Sequence, residues 1–395
     1  MRTLPAAFLS LVLSIALPAA PLAVSEAEVR RVHQSMLLID THNDVPMKTL
    51  LGYDIAQPAL KGSTDIARLK AGNVAATFFA AYVPANHVKT RTSAEYCRKV
   101  IGTIRNDIVS KHANDFALAL TADEILAARK QRKIAALIGI EGGHAIEDSF
   151  EKLREFFTLG ARYMTLTHSN TNNWADSSGD IDKAAVKRHN GLTPFGKQVV
   201  AEMNRLGMIV DVSHVADKTF WDVMEASRAP VLASHSSCRE ISNHKRNMTD
   251  DMIKAMAKKG GVIQINFACD FLSEERRAAE PALKKQLQEK CKSDMDRCRE
   301  LLERNPKLPR ATLADVVAHI DHVVKIAGVD AAGIGSDFDG VDCTPVGLED
   351  VSKFPSLTRA LLEKGYTEQQ IRKIYGENTM RVMRDVEKIA KASLK

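Results

Sequence analysis

Eight apolar runs of strand character, most followed by a helix-like stretch, constrain this chain more than any other feature. They are residues 36–42, 73–83, 133–141, 162–168, 208–214, 230–235, 261–267 and 332–337. Most are continuously apolar rather than alternating, the pattern of parallel strands covered on both faces. Helical stretches at 64–71, 93–112, 122–132, 149–159, 194–206, 216–227, 249–259 and 312–327 separate them, and helices within 356–391 close the chain. A short amphipathic helix at 26–35 leads in. Thr193-Pro194 and Thr249-Asp250-Asp251 carry the chemistry of helix starts. Strand–helix alternation repeated eight times predicts an α/β fold, a (β/α)8 TIM-type barrel. The alternative is a doubly wound open sheet, but no Gly-rich phosphate loop follows the first run. The charged stretch 273–309 interrupts the seventh unit and reads as a helical insertion over the barrel rim. A chain of 395 residues is long enough for one such barrel, here 26–395, as a single domain.

The ends of the runs carry the chemistry. The first ends in His42 and Asp44, whose i, i+2 spacing points both to one side of a strand. Glu141, His168, His214, His235 and Asp337 stand at the ends of later runs. In a barrel, side chains at the C-terminal strand ends converge on one site, so His42 and Asp337 can share a pocket. Neutral imidazoles with carboxylates favour zinc among divalent ions. Five ligands, His42, Asp44, Glu141, His214 and His235, are too many for one catalytic zinc, which takes about three protein ligands and a water. They suit two ions about 3.5–4 Å apart. One takes His42 and Asp44, the other His214 and His235, and Glu141 bridges. Singly, a strand-end histidine is more often structural; the joint occurrence carries the reading. Asp40 and Asp211 are expected to orient neighbours. His144, after a Gly-Gly turn, is read as a neighbour of the ligands. His33, His87, His112, His189, His244, His319 and His322 are expected to be solvated.

Residues 1–24 form an almost uncharged, Ala- and Pro-rich run after Arg2. This is read as a secretory signal peptide cut between about residues 20 and 27. An uncleaved membrane anchor is the rival. Six cysteines in an exported chain permit disulfides with about 15 connectivities. Cys291 and Cys298, seven apart, suggest a local bridge. A net charge of +6 without a concentrated basic block argues against nucleic acid.

In order along the chain, the blocks IDTHNDVP, GIEGGHAI, LTHSNTNNWAD, DVSHV, ASHSS, HKRNMTDD, GIGSDFDG and GENTMRV resemble the membrane (renal) dipeptidase family of zinc peptidases. That family is a branch of the amidohydrolase-type metal barrels. The resemblance spans about residues 39–382. It implies two zinc ions per chain, hydrolysis of dipeptides, and in some members β-lactams or a C-terminal D-residue. By motif, His42 and Asp44 match ligands of one zinc, His214 and His235 those of the other, and Glu141 the bridging carboxylate. His168 matches a residue at the scissile carbonyl oxygen, Arg246 the holder of the substrate carboxylate, and Asp337 the acid near the amine and the attacking water. The resemblance also implies a homodimer. Phe271 stands where mammalian relatives carry Tyr, Met47 departs from a common aromatic, and the cysteines fall off the mammalian disulfide positions. No glycolipid-anchor signal is evident. A periplasmic or secreted bacterial-type enzyme, without stable membrane insertion after cleavage, is the expectation. The competing readings keep the metal barrel but change the substrate to N-acyl amino acids or lactams, or make the chain a non-catalytic exported peptide- or zinc-binding protein.

Overall fold

The structure, a computed structural model, describes residues 24–58, 62–291 and 295–393. Most of the expected signal peptide, residues 1–23, lies outside these. Among the described residues no helix is long and apolar enough to cross a membrane.

Eight parallel strands run side by side: β1 (Leu38–Asn43), β2 (Val74–Tyr82), β4 (Ile134–Glu141), β5 (Ala161–Thr165), β6 (Ile209–Asp211), β7 (Leu232–Ser236), β8 (Val262–Ile265) and β9 (Ala332–Ile334). Their burial is continuous, as expected for strands that face helices outside and packed side chains inside. β3 (Phe116–Leu118) was not foreseen; it pairs with the start of β4, below the point where β5 takes over. Three residues are too few to show a period.

The sheet closes on itself through residues just past β9. Asp44 N–H donates to Phe338 O at 2.9 Å and Asp337 N–H to His42 O at 3.0 Å. Beneath this seam Asp40, fully buried, accepts from Ser336 N–H at 2.8 Å and Ser336 Oγ–H at 2.6 Å. Asp40 thus orients neighbours, as its place inside a strand implied. Burial pushes its carboxyl up to about 6, and the Ser336 donors oppose that.

The helices fall close to the expected stretches. Thr193 and Thr249 each accept an amide of the first turn, from Gly196 and Met252. The stretch 93–112 splits into an α-helix, Ser93–Thr103, and a wider π-helical turn, Ile104–Ser110. The insertion is helical, Glu274–Cys291 and Met295–Glu303, and Cys291 is bridged to Cys298. A second disulfide, Cys269–Cys343, joins the segment after β8 to the loop after β9. Two of the histidines expected in solvent are core residues. His33 hydrogen-bonds Thr358 Oγ1 and Gly72 O, and His319 bonds Cys238 N–H and Leu272 O. Each ring links two distant backbone segments, which helix position alone does not disclose.

The seam generates a prediction. Asp40→Ala leaves the two Ser336 donors without their acceptor and lowers unfolding free energy by about 2–4 kcal/mol. Denaturant unfolding measures it; an unchanged midpoint would show that the seam is held elsewhere.

Candidate metal centre

The C-terminal mouth of the barrel holds every residue singled out at the strand ends. Glu141 Oε1, on β4, is the centre. It lies 3.0 Å from His214 Nε2, 3.2 Å from His235 Nε2, 3.7 Å from His42 Nε2 and 3.9 Å from His168 Nε2. Asp44 Oδ2 is 3.2 Å from His42 Nε2. Asp44, Asp337 and His42 bring ligand atoms within 4.8 Å of one another. Asn266 donates to Asp337 Oδ2 at 2.8 Å. Arg246 is buried on the same wall, donating to His235 O at 3.1 Å and Ser236 Oγ at 3.4 Å, while its Nε has no partner.

Two of the rings, His42 and His235, are aimed from behind. His42 Nδ1 lies 2.7 Å from Tyr163 Oη. Tyr163 occupies the space where a Cβ on Gly139 would stand, so a glycine on β4 lets the phenol reach His42. His235 Nδ1 lies 2.8 Å from Ser234 Oγ, which donates to Asp211 Oδ2 at 2.6 Å. Asp211 also accepts the amides of Ser213 and Ser234. With their Nδ1 protons engaged by these oxygens, His42 and His235 present bare Nε2 lone pairs to Glu141. Gly340 makes room in the same way: a Cβ there would meet Asp44 Oδ2 at 2.2 Å and Asp337 Oδ1 at 2.4 Å. His214, Asp337 and Asp339 have φ of 68°, 61° and 69°. Left-handed backbone at non-glycine residues is costly and gathers at functional sites.

The electrostatics are those of a site built for added positive charge. Burial pushes Glu141 up to about 8, with His42 opposing, and pushes Asp44 and Asp337 up to about 7. Burial lowers His168 to about 3 and His214 and His235 well below the usual imidazole range. Buried carboxyls and imidazoles whose protonation burial opposes are the donors a divalent cation uses. His42 Nε2 is buried with no hydrogen-bond partner, and His214 and His235 Nε2 crowd to 2.9 Å. Three sets of donor atoms lie within 4.8 Å of one another: His42–Glu141–His235, Glu141–His168–His214 and His42–Asp44–Asp337. Glu141 and His42 each belong to two sets, so the donor set fits more than one ion.

The centre opens into a cavity of about 490 Å³ whose wall includes Met47, Tyr82, His168, Arg246, Asp270, Phe271, Asp337 and, from the insertion, Arg276, Glu280 and Lys284. His144 lies beside the cluster, its Nε2 at 3.0 Å from Val83 O. Tyr163, Ser234, Asn266 and Asp270 escaped sequence reasoning. Tyr163 and Ser234 sit inside apolar runs, where only the barrel's inward pattern marks them.

The family profile described as Membrane dipeptidase (Peptidase family M19) matches residues 26–395. An uncharacterized dipeptidase of Schizosaccharomyces pombe is 32% identical over 386 residues, 93% of this chain and 84% of that protein. The crystal structure of the probable dipeptidase PvdM from Pseudomonas aeruginosa shares the fold, with TM-score 0.80 and 24% identity over 92% of this chain and 98% of that one. A metallo peptidase from Rhodobacter sphaeroides, liganded with a phosphinate mimic of the dipeptide L-Ala-D-Ala, matches with TM-score 0.72 and 25% identity over 89% of this chain and 99% of that one. Matched from residue 26 to residue 395, and similar at this level to a dipeptidase, the chain belongs to the membrane dipeptidase family of metallopeptidases.

Proposed function

We propose that this chain is a binuclear zinc dipeptidase that cleaves the peptide bond of free dipeptides. The carrying observation is the buried carboxylate of Glu141 with His214 and His235 Nε2 within 3.2 Å and His42 Nε2 at 3.7 Å, in a cavity that Arg246 and Asp337 also line. His42 and Asp44 would hold one zinc and His214 and His235 the other, with Glu141 available to both. Bound there, the ions would supply Lewis-acid polarisation of the scissile carbonyl and a water of lowered pKa.

The chain's own residues do the rest. Arg246 takes the substrate's C-terminal carboxylate in its planar fork, and its unpartnered Nε is the donor awaiting it. A longer peptide has no free carboxylate at that point, which restricts the enzyme to dipeptides. Asp337, aimed by Asn266, accepts a proton from the water and passes it to the leaving amine. His168, neutral through burial, hydrogen-bonds the carbonyl oxygen as negative charge develops. Export to the periplasm or medium accords with the uncharged N-terminal run and with two disulfides, which persist in oxidising compartments.

Three measurements test this reading. Hydrolysis of glycylglycine, L-alanyl-L-alanine, L-alanyl-D-alanine, a tripeptide and N-acetylalanine, with and without chelator, should give chelator-sensitive cleavage of the dipeptides alone. Cleavage of N-acetylalanine with dipeptides intact would point instead to an N-acyl amino acid hydrolase. Asp337→Asn should lower kcat roughly 10²–10⁴-fold while the metal content holds. Wild-type turnover in that variant would remove the proton shuttle. Tyr163→Phe frees the His42 ring and should weaken metal binding roughly ten-fold or more, read by competition with a chromogenic chelator. Unaltered affinity would mean that the phenol does not set the ring.

A further inference from the structure

Asp270 faces the substrate cavity, and among the described residues no side chain hydrogen-bonds its carboxylate. Among the described residues its closest recorded cationic-type nitrogen is His244 Nε2, 3.7 Å away and beyond hydrogen-bond range. His244 carries no charge to offset it. Its Nδ1 accepts the Arg246 amide at 3.1 Å, and burial lowers its pKa to about 4. The other cations on this wall are committed. Arg276 forks onto Glu280 and Glu303, Lys284 pairs with Glu280 at 2.6 Å, and Arg246 binds His235 O and Ser236 Oγ.

The main chain that carries this carboxylate is anchored. Asp270 lies in a four-residue helix, Cys269–Leu272, whose first residue is bridged to Cys343. Ser242 Oγ–H donates to Asp270 O at 2.9 Å, Asn247 Nδ2–H to Phe271 O at 2.8 Å, and the His319 ring bonds Leu272 O at 3.0 Å. Two segments, the loop holding Ser242 and Asn247 and the helix holding His319, thus anchor three consecutive carbonyls. A preorganised anion facing a cavity lowers the cost of binding a cation. The neighbouring Phe271 ring sits 5.3 Å from the Arg246 guanidinium, which places this wall beside the carboxylate-binding end of the pocket.

We propose that Asp270 selects dipeptides whose C-terminal residue bears a cationic side chain, of the lysine, ornithine or arginine type. The inference rests on the dipeptidase reading, because the substrate carboxylate on Arg246 is what brings that side chain to Asp270.

The test is kcat/KM of the zinc-loaded enzyme on alanyl-lysine, on its neutral isostere alanyl-norleucine and on alanyl-Nε-acetyl-lysine. The wild type should favour alanyl-lysine over both neutral substrates about ten-fold, the size of one charged hydrogen bond. Asp270→Asn should bring the alanyl-lysine to alanyl-norleucine ratio to about one. The ratio is internal, so a general loss of activity in the variant does not mimic the effect, and the acetyl-lysine comparison needs no variant. Equal rates on all three wild-type substrates, or a lysine preference that survives in Asp270→Asn, would overturn the role of Asp270 while leaving the dipeptidase intact. Failure to cleave any of the three dipeptides would overturn both.

Discussion

A buried carboxylate surrounded by imidazoles is the constraint on which the rest of this structure depends. Glu141 is taken out of water, and burial raises its pKa to about 8. Alone it would destabilise the fold. Within 4 Å it meets four imidazoles, and burial opposes the protonation of three of them, His168, His214 and His235. Such an arrangement persists when the balance of charge comes from a bound cation. The surrounding polar groups follow from that need. Asp211 with Ser234, and Tyr163 in the space above Gly139, turn Nδ1 of His235 and His42 outward and leave Nε2 bare.

The same mouth also depends on how the barrel is closed. Main-chain bonds from Asp44 and Asp337 across the seam set the two acids side by side, and only a glycine at 340 leaves them room. Positive φ at His214 and Asp337 turns both side chains inward, at a backbone cost that the closed barrel bears. Outside this ring the pocket wall comes from the most irregular parts of the chain: the short helix Cys269–Leu272, the insertion helix Glu274–Cys291, and the loop carrying Cys343. The scaffold therefore serves the metal chemistry, and the irregular segments shape what the cavity admits. Loops carried on a rigid barrel take this part in general.

Much of this was readable in the chain. The runs ending in His42, Glu141, His214 and His235 are mostly apolar because their strands are buried on both faces, and the polar residue that ends each run marks the rim. Arg246 became legible only through its whole motif, since a single arginine in a loop has no periodic context; His168 was marked by its strand end, and only its role came from the motif. The strand Phe116–Leu118 was too short to register. His33 and His319 looked solvated because helix position does not tell which face a neighbouring segment will cover.

Hydrophobic period, cap residues and strand-end chemistry were sufficient for the barrel, its insertion and the set of metal-type donors, because each is a local property of a dozen residues or fewer. The tertiary structure alone decided three things. It brought Tyr163 behind the His42 ring, it paired Cys269 with Cys343 across 74 residues, and it turned Asp270 to the cavity. All three depend on distances between segments far apart in sequence, and those distances exist only once the barrel has closed.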